Sequence, residues 1–190
     1  LLLIRPPAGH PRGILVVSIR EFEYRGDLLI HTRETLVQAN GVRILKGAAN
    51  GSFSPIGSVV PVGSGPYGIA SVDFDGDGNA DLFTANYWGN TLSVLYGHGD
   101  GTFSPHNDYQ VGGGPYELVV GDLDRDTLID VAVSNTADDD ITVLYGRPGG
   151  VFDDVNGRRD FAVGNAPVGL VHGDWNRDGL PDLATANNFS

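Results

Sequence analysis

Apolar residues in this chain come in short runs, and Gly, Pro, Asn and Asp separate them. Asp81-Leu-Phe-Thr-Ala-Asn86, Asp130-Val-Ala-Val-Ser-Asn135 and Asp182-Leu-Ala-Thr-Ala-Asn187 are three such runs. Runs of this length between turn formers predict β-strands. Asp130-Val-Ala-Val133 and Ile141-Thr-Val-Leu144 are almost continuously apolar instead of alternating, which predicts sheets covered on both faces. Inner strands are predicted at residues 68–74 and 117–123, and a further strand at 14–19. Residues 33–39 are the least strand-like stretch and are too short to carry a helical domain, so the pattern predicts an all-β fold.

The runs recur in a fixed order. Val62-Gly-Ser-Gly-Pro66, Val111-Gly-Gly-Gly-Pro115 and Val163-Gly-Asn-Ala-Pro167 precede three acidic loops. The Asp-to-Asn strands follow them. Val42-Arg-Ile-Leu-Lys-Gly47, Leu92-Ser-Val-Leu-Tyr-Gly97 and Thr142-Val-Leu-Tyr-Gly146 come next, and Gly51-Ser-Phe53, Gly101-Thr-Phe103 and Gly150-Val-Phe152 close the unit. A period of about 50 residues means a solenoid, a propeller or an array.

The acidic loops carry the candidate chemistry. Asp73-Phe-Asp-Gly-Asp-Gly-Asn-Ala-Asp81 places Asp73, Asp75, Asp77 and Asp81 at loop positions 1, 3, 5 and 9. Glycines between them let the backbone turn tightly enough for the side chains to converge. Converging carboxylates repel unless a cation neutralises them, and an all-oxygen set favours Ca²⁺. The main-chain carbonyl of Asn79, at position 7, would complete the set. The loop is not an EF-hand, because position 12 is Thr84 and the flanks read as strands. Its second copy offers Asp122, Asp124, Asp126, Leu128 and Asp130, and its third Asp174, Asn176, Asp178, Leu180 and Asp182. The second copy has Thr127 where the first has Gly78, and a β-branched residue at positive φ is strained. A metal-free Asx-rich turn would explain one such loop; three in step favour the metal.

The Asp loop, the Asp-Leu-x-x-Ala-Asn strand, the Val-Leu-Tyr-Gly strand and the Gly-Asp-Gly-Thr-Phe turn together resemble the FG-GAP/VCBS-type repeats of integrin-like β-propellers. Residues 40–190 carry the resemblance, and residues 10–40 carry it poorly. It implies four-stranded antiparallel blades, usually seven in a ring, with Ca²⁺ in the loop joining the first two strands of a blade. On that basis the chain is a single repeat domain and a propeller fragment of about four units. The units fall at residues 13–63 (degenerate), 68–112, 117–164 and 168–190 (incomplete). Aligning Asp27-Leu-Leu-Ile-His-Thr32 with the strand at Asp81 puts Ile19, Glu21, Glu23, Arg25 and Asp27 in the degenerate loop, where an empty turn is the preferred reading.

The formal net charge of −12 disfavours nucleic acid as a partner. The three loops hold eleven of the 24 acidic residues, so the acidity reads as metal sites more than as an acidic surface. With no cysteine, disulfides and thiolate metal sites are excluded. No run is long enough to span a membrane, and Leu1-Leu-Leu-Ile4 is too short for a signal sequence core. Calcium sites of extracellular modules suit millimolar Ca²⁺, which points outside the cell. The histidines form no H-E-x-x-H pair, His172 reads as a packed or hydrogen-bonded inner-strand residue, and no nucleophile elbow or phosphate loop occurs. The chain is therefore expected to be a non-enzymatic recognition or adhesion module for a protein or glycan, with structural Ca²⁺. The alternative is the scaffold of a secreted carbohydrate-active enzyme or lectin. Tyr67, Tyr87, Trp88 and Tyr116 are the candidate ligand-binding residues, because aromatics on turns can stack on sugars or anchor a partner.

Overall fold

A computed structural model describes residues 14–18 (backbone), 40–153 and 157–188. Ile19, Glu21, Glu23, Arg25 and Asp27 lie outside the described residues. Among those described, all regular structure is strand, in antiparallel sheets that do not close on themselves. The first sheet holds β1 (Ile14–Ser18), β2 (Gly41–Gly47) and β3 (Phe53–Pro61). The second holds β4 (Pro66–Val72), β5 (Asp81–Asn86), β6 (Thr91–Leu95) and β7 (Asn107–Gln110), in that order. In the third, β8 (Pro115–Gly121), β9 (Asp130–Asn135) and β10 (Asp140–Leu144) are followed by a small ribbon of β11 (Gly146–Arg147) and β12 (Val151–Phe152), and β13 (Arg158–Ala162) completes the sheet beside β10. The fourth pairs β14 (Pro167–Gly173) with β15 (Asp182–Asn187). This is the all-β fold that the strand pattern predicts, in the propeller-type blade repeat that the resemblance implies.

The inner strands begin and end two residues earlier than predicted, at Pro66–Val72 and Pro115–Gly121. Proline has no N–H to give a ladder and fits a strand's first residue. The register then slips just after Pro66, Pro115 and Pro167, a bulge shared by three blades. At the other end the Phe74 and Leu123 N–H groups turn to carboxylates instead of a neighbouring strand. The predicted strand at 14–19 is present as β1. It pairs directly with β2, however, and so holds the second-strand place that β5 and β9 take in later blades, not the inner place of the predicted register. A run such as Ile14-Leu-Val-Val-Ser18 suits a strand covered on both faces.

Alternate residues of the central strands feed different cores. Phe83 and Ala85 on β5 meet Val131 and Val133 on β9 between the second and third blades. Leu82 and Leu95 face Val42 and Ile44 of the first blade. Ala132, Ile141 and Val143 meet Leu170 of the fourth. The phenylalanines of the second and third glycine-rich turns insert backwards into the preceding blade, whereas Phe53 of the first is exposed. Phe152 lies 4.7 Å from Phe74 and 5.0 Å from Tyr109, centre to centre, while Phe103 packs on the core shared with the first blade.

A second device joins the blades at the other end. The Asn40 side chain accepts the Gly65 N–H at 3.0 Å, Asn90 accepts that of Gly114 at 3.1 Å, and Asp139 accepts that of Ala166 at 2.8 Å. The main-chain carbonyls of the same three residues accept from Val62, Val111 and Val163. Each residue before a third strand therefore clamps the link to the next blade at two points.

Candidate metal centres and the aromatic end

The first Asp loop leaves β4 at Val72 and re-enters the sheet at Asp81, its direct partner. Asp81 is fully buried. Its Oδ2 accepts the Phe74 N–H and its Oδ1 the Gly97 N–H, both at 2.8 Å. Burial pushes its pKa above the usual carboxylate value, against those two bonds. Asp73 accepts the Gly76 and Gly78 N–H groups through its two oxygens, each at 3.0 Å. Asp75 accepts the Asp77 N–H. The loop thus folds around its carboxylates, which satisfy the main chain of a turn too tight to satisfy itself.

The second loop repeats this. Asp130 is fully buried, accepts the Leu123 and Gly146 N–H groups at 2.7 and 2.8 Å, and has its pKa raised by burial. Asp122 Oδ2 accepts the Thr127 N–H and Asp124 the Asp126 N–H. In the third loop Asp182 accepts the Trp175 N–H, Asp174 that of Gly179, and Asn176 that of Asp178.

Backbone conformation follows position, not residue type. Loop position 4 is Gly76, Arg125 or Arg177, with φ of 78°, 68° and 63°. Position 6 is Gly78, Thr127 or Gly179, with φ of 88°, 72° and 82°. Thr127 does occupy the left-handed region that its β-branch disfavours. The same conformation at Arg125 and Arg177 was hidden in the sequence, where arginine gives no sign of a left-handed turn.

Two groups of three carboxylates converge. Asp73, Asp75 and Asp81 each offer an oxygen within 4.8 Å of the others, and so do Asp122, Asp124 and Asp130. Two ligands on opposite sides of a Ca²⁺ ion stand about 5 Å apart, so the residues fit that ion. Asp77 and Asp126 stand outside these groups. Asp77 takes the Asn79 N–H and side-chain amide, which hold its pKa low, and Asp126 takes the Leu128 N–H. Asp178 likewise accepts from Leu180 and from the Asn176 amide. In the third loop, among the described residues, Asn176 stands where a third acidic ligand would be, and no acidic triad forms. Two buried side-chain oxygens among the described residues meet no hydrogen-bond donor, Asn135 Oδ1 at the far end of its strand and Asp122 Oδ1, and the second belongs to a converging triad. A buried carboxylate oxygen in that condition is costly unless a cation meets it.

The aromatic candidates gather at the other end of the blade, where Pro66 pairs with Asn86. The seven residues of β4 separate the two ends by roughly 20 Å. Tyr67 lies 5.0 Å from both Tyr87 and Tyr116, and Tyr87 lies 4.7 Å from Trp88, edge to face. Trp88 is 69% exposed and rests its indole on Gly65, where a Cβ would come within 2.2 Å of the ring. Beneath them, Asn86 and Asn135 donate to the side chains of Thr91 and Ser93, and of Asp140 and Thr142, and tie second strands to third strands. His172 is exposed on the inner strand of the fourth blade, and no hydrogen bond to it occurs among the described residues, contrary to the packed role expected. Its ring lies beside Gly121 of the preceding inner strand, where a Cβ would come within 3.3 Å of it.

The repeat is recognisable in other proteins. A solved structure, that of a functionally unknown protein from Desulfotomaculum acetoxidans DSM 771, is similar with a TM-score of 0.51 and 26% identity. The match covers 66% of this chain and 36% of that one, so this chain spans about a third of that protein's length. No curated protein matches the sequence. The FG-GAP-like repeat family matches residues 27–84 and 73–133, which together make up more than half of the chain. With its acidic loops, bulged inner strands and shared cores in register, the chain belongs to the FG-GAP-like repeat family.

Proposed function

We propose that this repeat module binds Ca²⁺ in its Asp loops as a structural ion and presents its aromatic end to a protein or glycan ligand outside the cell. The observation that carries the metal reading is the buried, unpartnered Asp122 Oδ1 inside a triad of converging carboxylates. The ion would sit where a loop joins an inner strand to a central one. It would lock strand ends within a blade and perform no chemistry. A site filled at about 100 times its dissociation constant stabilises the fold by roughly 2.7 kcal/mol. Thermal melting in millimolar Ca²⁺ and in EDTA tests this. The expected result is a higher melting temperature with Ca²⁺, and superimposable curves would refute the metal reading.

The recognition reading rests on Trp88, large, exposed and braced on a Tyr cluster far from the carboxylates. An indole held in this way can stack on a sugar ring or anchor a protein partner. That also supports a second reading, a lectin or the scaffold of a carbohydrate-active enzyme whose active groups lie elsewhere. A glycan array and a protein-capture screen with the Trp88→Ala variant as control separate the two. No helix among the described residues is long and apolar enough to cross a membrane.

A further inference from the structure

The first converging loop is partly covered, and its Asp75 is half-buried. The cover over Asp75 comes from another blade. Gly150, in the turn between β11 and β12, has φ of 66° and lies directly against it. A Cβ at residue 150 would come within 2.6 Å of Asp75 Cβ and 2.8 Å of its Cα. Those atoms belong to or adjoin the main chain, so they could not swing aside. The Gly150 carbonyl accepts a hydrogen bond from the Tyr96 hydroxyl. Tyr96 is followed by Gly97, whose N–H holds Asp81 Oδ1. One unbroken chain of contacts therefore runs from Asp75 through Gly150 and Tyr96 to Asp81, the middle and the end of the same triad. Tyr145 and Gly146 stand in the corresponding places for the second loop, and Gly146 does hold Asp130.

We propose that the third blade braces the first Asp loop across the blade boundary, and that Gly150 and Tyr96 are positioning residues for a cation held by Asp73, Asp75 and Asp81. The consequence for the cation rests on the calcium reading above; the brace itself does not. Outer partners that fix ligands are worth about 10- to 100-fold in metal affinity. The brace also works in reverse, because an ion that fixes Asp75 fixes the surface on which the turn of the third blade docks.

Terbium luminescence is the probe, read in two full-length backgrounds. One, Asp122→Ala with Asp174→Ala, keeps the first loop. The other, Asp73→Ala with Asp174→Ala, keeps the second. Tyr96→Phe removes only a hydroxyl and serves beside Gly150→Ala, which is the variant more at risk of not folding. Both should weaken terbium binding about 10- to 100-fold in the first background and leave the second unchanged. In metal-free protein, Tyr96→Phe should speed amide exchange at Gly76 and Gly78 and not at Thr127. Unchanged affinity at the first loop, or equal loss at both loops, overturns the proposal. If terbium binds neither parent background, the calcium reading fails. Exchange at Gly76 and Gly78 then decides alone: faster exchange upholds the brace and unchanged exchange overturns it.

Discussion

Asp81→Asn separates the two roles of a buried loop carboxylate. In the native protein its two oxygens accept two main-chain N–H groups, from Phe74 and Gly97, at 2.8 Å each. Asparagine offers one oxygen and one NH₂, so one of those donors would point at another donor. A buried donor without an acceptor costs about 1–3 kcal/mol. The substitution also removes a charge that burial disfavours, as the raised Asp81 pKa shows. That relief moves the expected net loss to the lower end, about 1 kcal/mol, or roughly 2–4 °C in a chain of this size. The loss should be present in EDTA, where no ion contributes, and should grow in millimolar Ca²⁺. Asp77→Asn is the internal control. Asp77 is exposed, its bonds run within the loop, and surface changes of this kind stay within about 0.5 kcal/mol. Urea unfolding of both variants with and without EDTA makes the comparison. If Asp81→Asn matches the native protein in EDTA, or Asp77→Asn costs as much, the clamp described for Asp81 is wrong.

Acid should affect the metal-free and Ca²⁺-loaded forms in opposite directions. The folded pKa of Asp130 is raised by burial, so its contribution in EDTA is full below the ordinary carboxylate value, about 4, and is lost as pH rises through the raised one; the penalty of Asp130→Asn in EDTA should therefore be larger near pH 4 than at pH 7. With Ca²⁺ the order reverses, because the ion needs the carboxylate deprotonated, and melting scans against pH read both. Thr127→Gly should tighten the second loop by relieving a left-handed threonine, and calorimetric titration showing weaker binding would refute the strain argument. Asn90→Gly, which keeps the left-handed φ of 53° accessible, should cost about 1 kcal/mol by leaving the Gly114 N–H without its acceptor, while Ala166→Gly, at φ of 48°, should be neutral or stabilising; chemical denaturation checks the pair, and the opposite order would refute the clamp. Trp88→Ala should weaken any ligand of the aromatic end and leave Ca²⁺ affinity unchanged, since roughly 20 Å separates the two, and a shift in the calcium isotherm would deny that separation.

Much of the fold was legible because the sequence repeats its own constraints. The Asp-to-Asn strands, the acidic loops and the Val-Gly-x-x-Pro links each recur three times, and their order fixes strand order within a blade. What stayed hidden depends on neighbours outside the local sequence. Phe103 and Phe152 look like turn residues, but they fill the preceding blade. The left-handed backbone at Arg125 and Arg177 comes from loop geometry imposed by flanking carboxylates. Asp77 and Asp126 look equivalent to the other acidic positions by spacing alone, but each stands outside the converging triad of its loop. His172 looked like an inner-strand residue to be packed, but it is exposed in a fourth blade whose β14 and β15 carry several other exposed residues. The pairing of β1 was beyond local pattern too, since any apolar run of its length can enter any doubly covered place.

The sharing of cores between adjacent blades has a consequence for how such a chain changes length. The unit that duplicates in a gene and the unit that is stable in water are out of phase: one is a blade, the other is the seam between two. Gain or loss of a whole period therefore adds or removes one seam and leaves every other seam chemically intact. Loss of half a period would strand a Phe152 without its Phe74 and expose two half-cores at once. Stability in such an array is a nearest-neighbour sum. A change in copy number is then cheap for the remaining blades, and a change in the spacing from one Asp loop to the next is not.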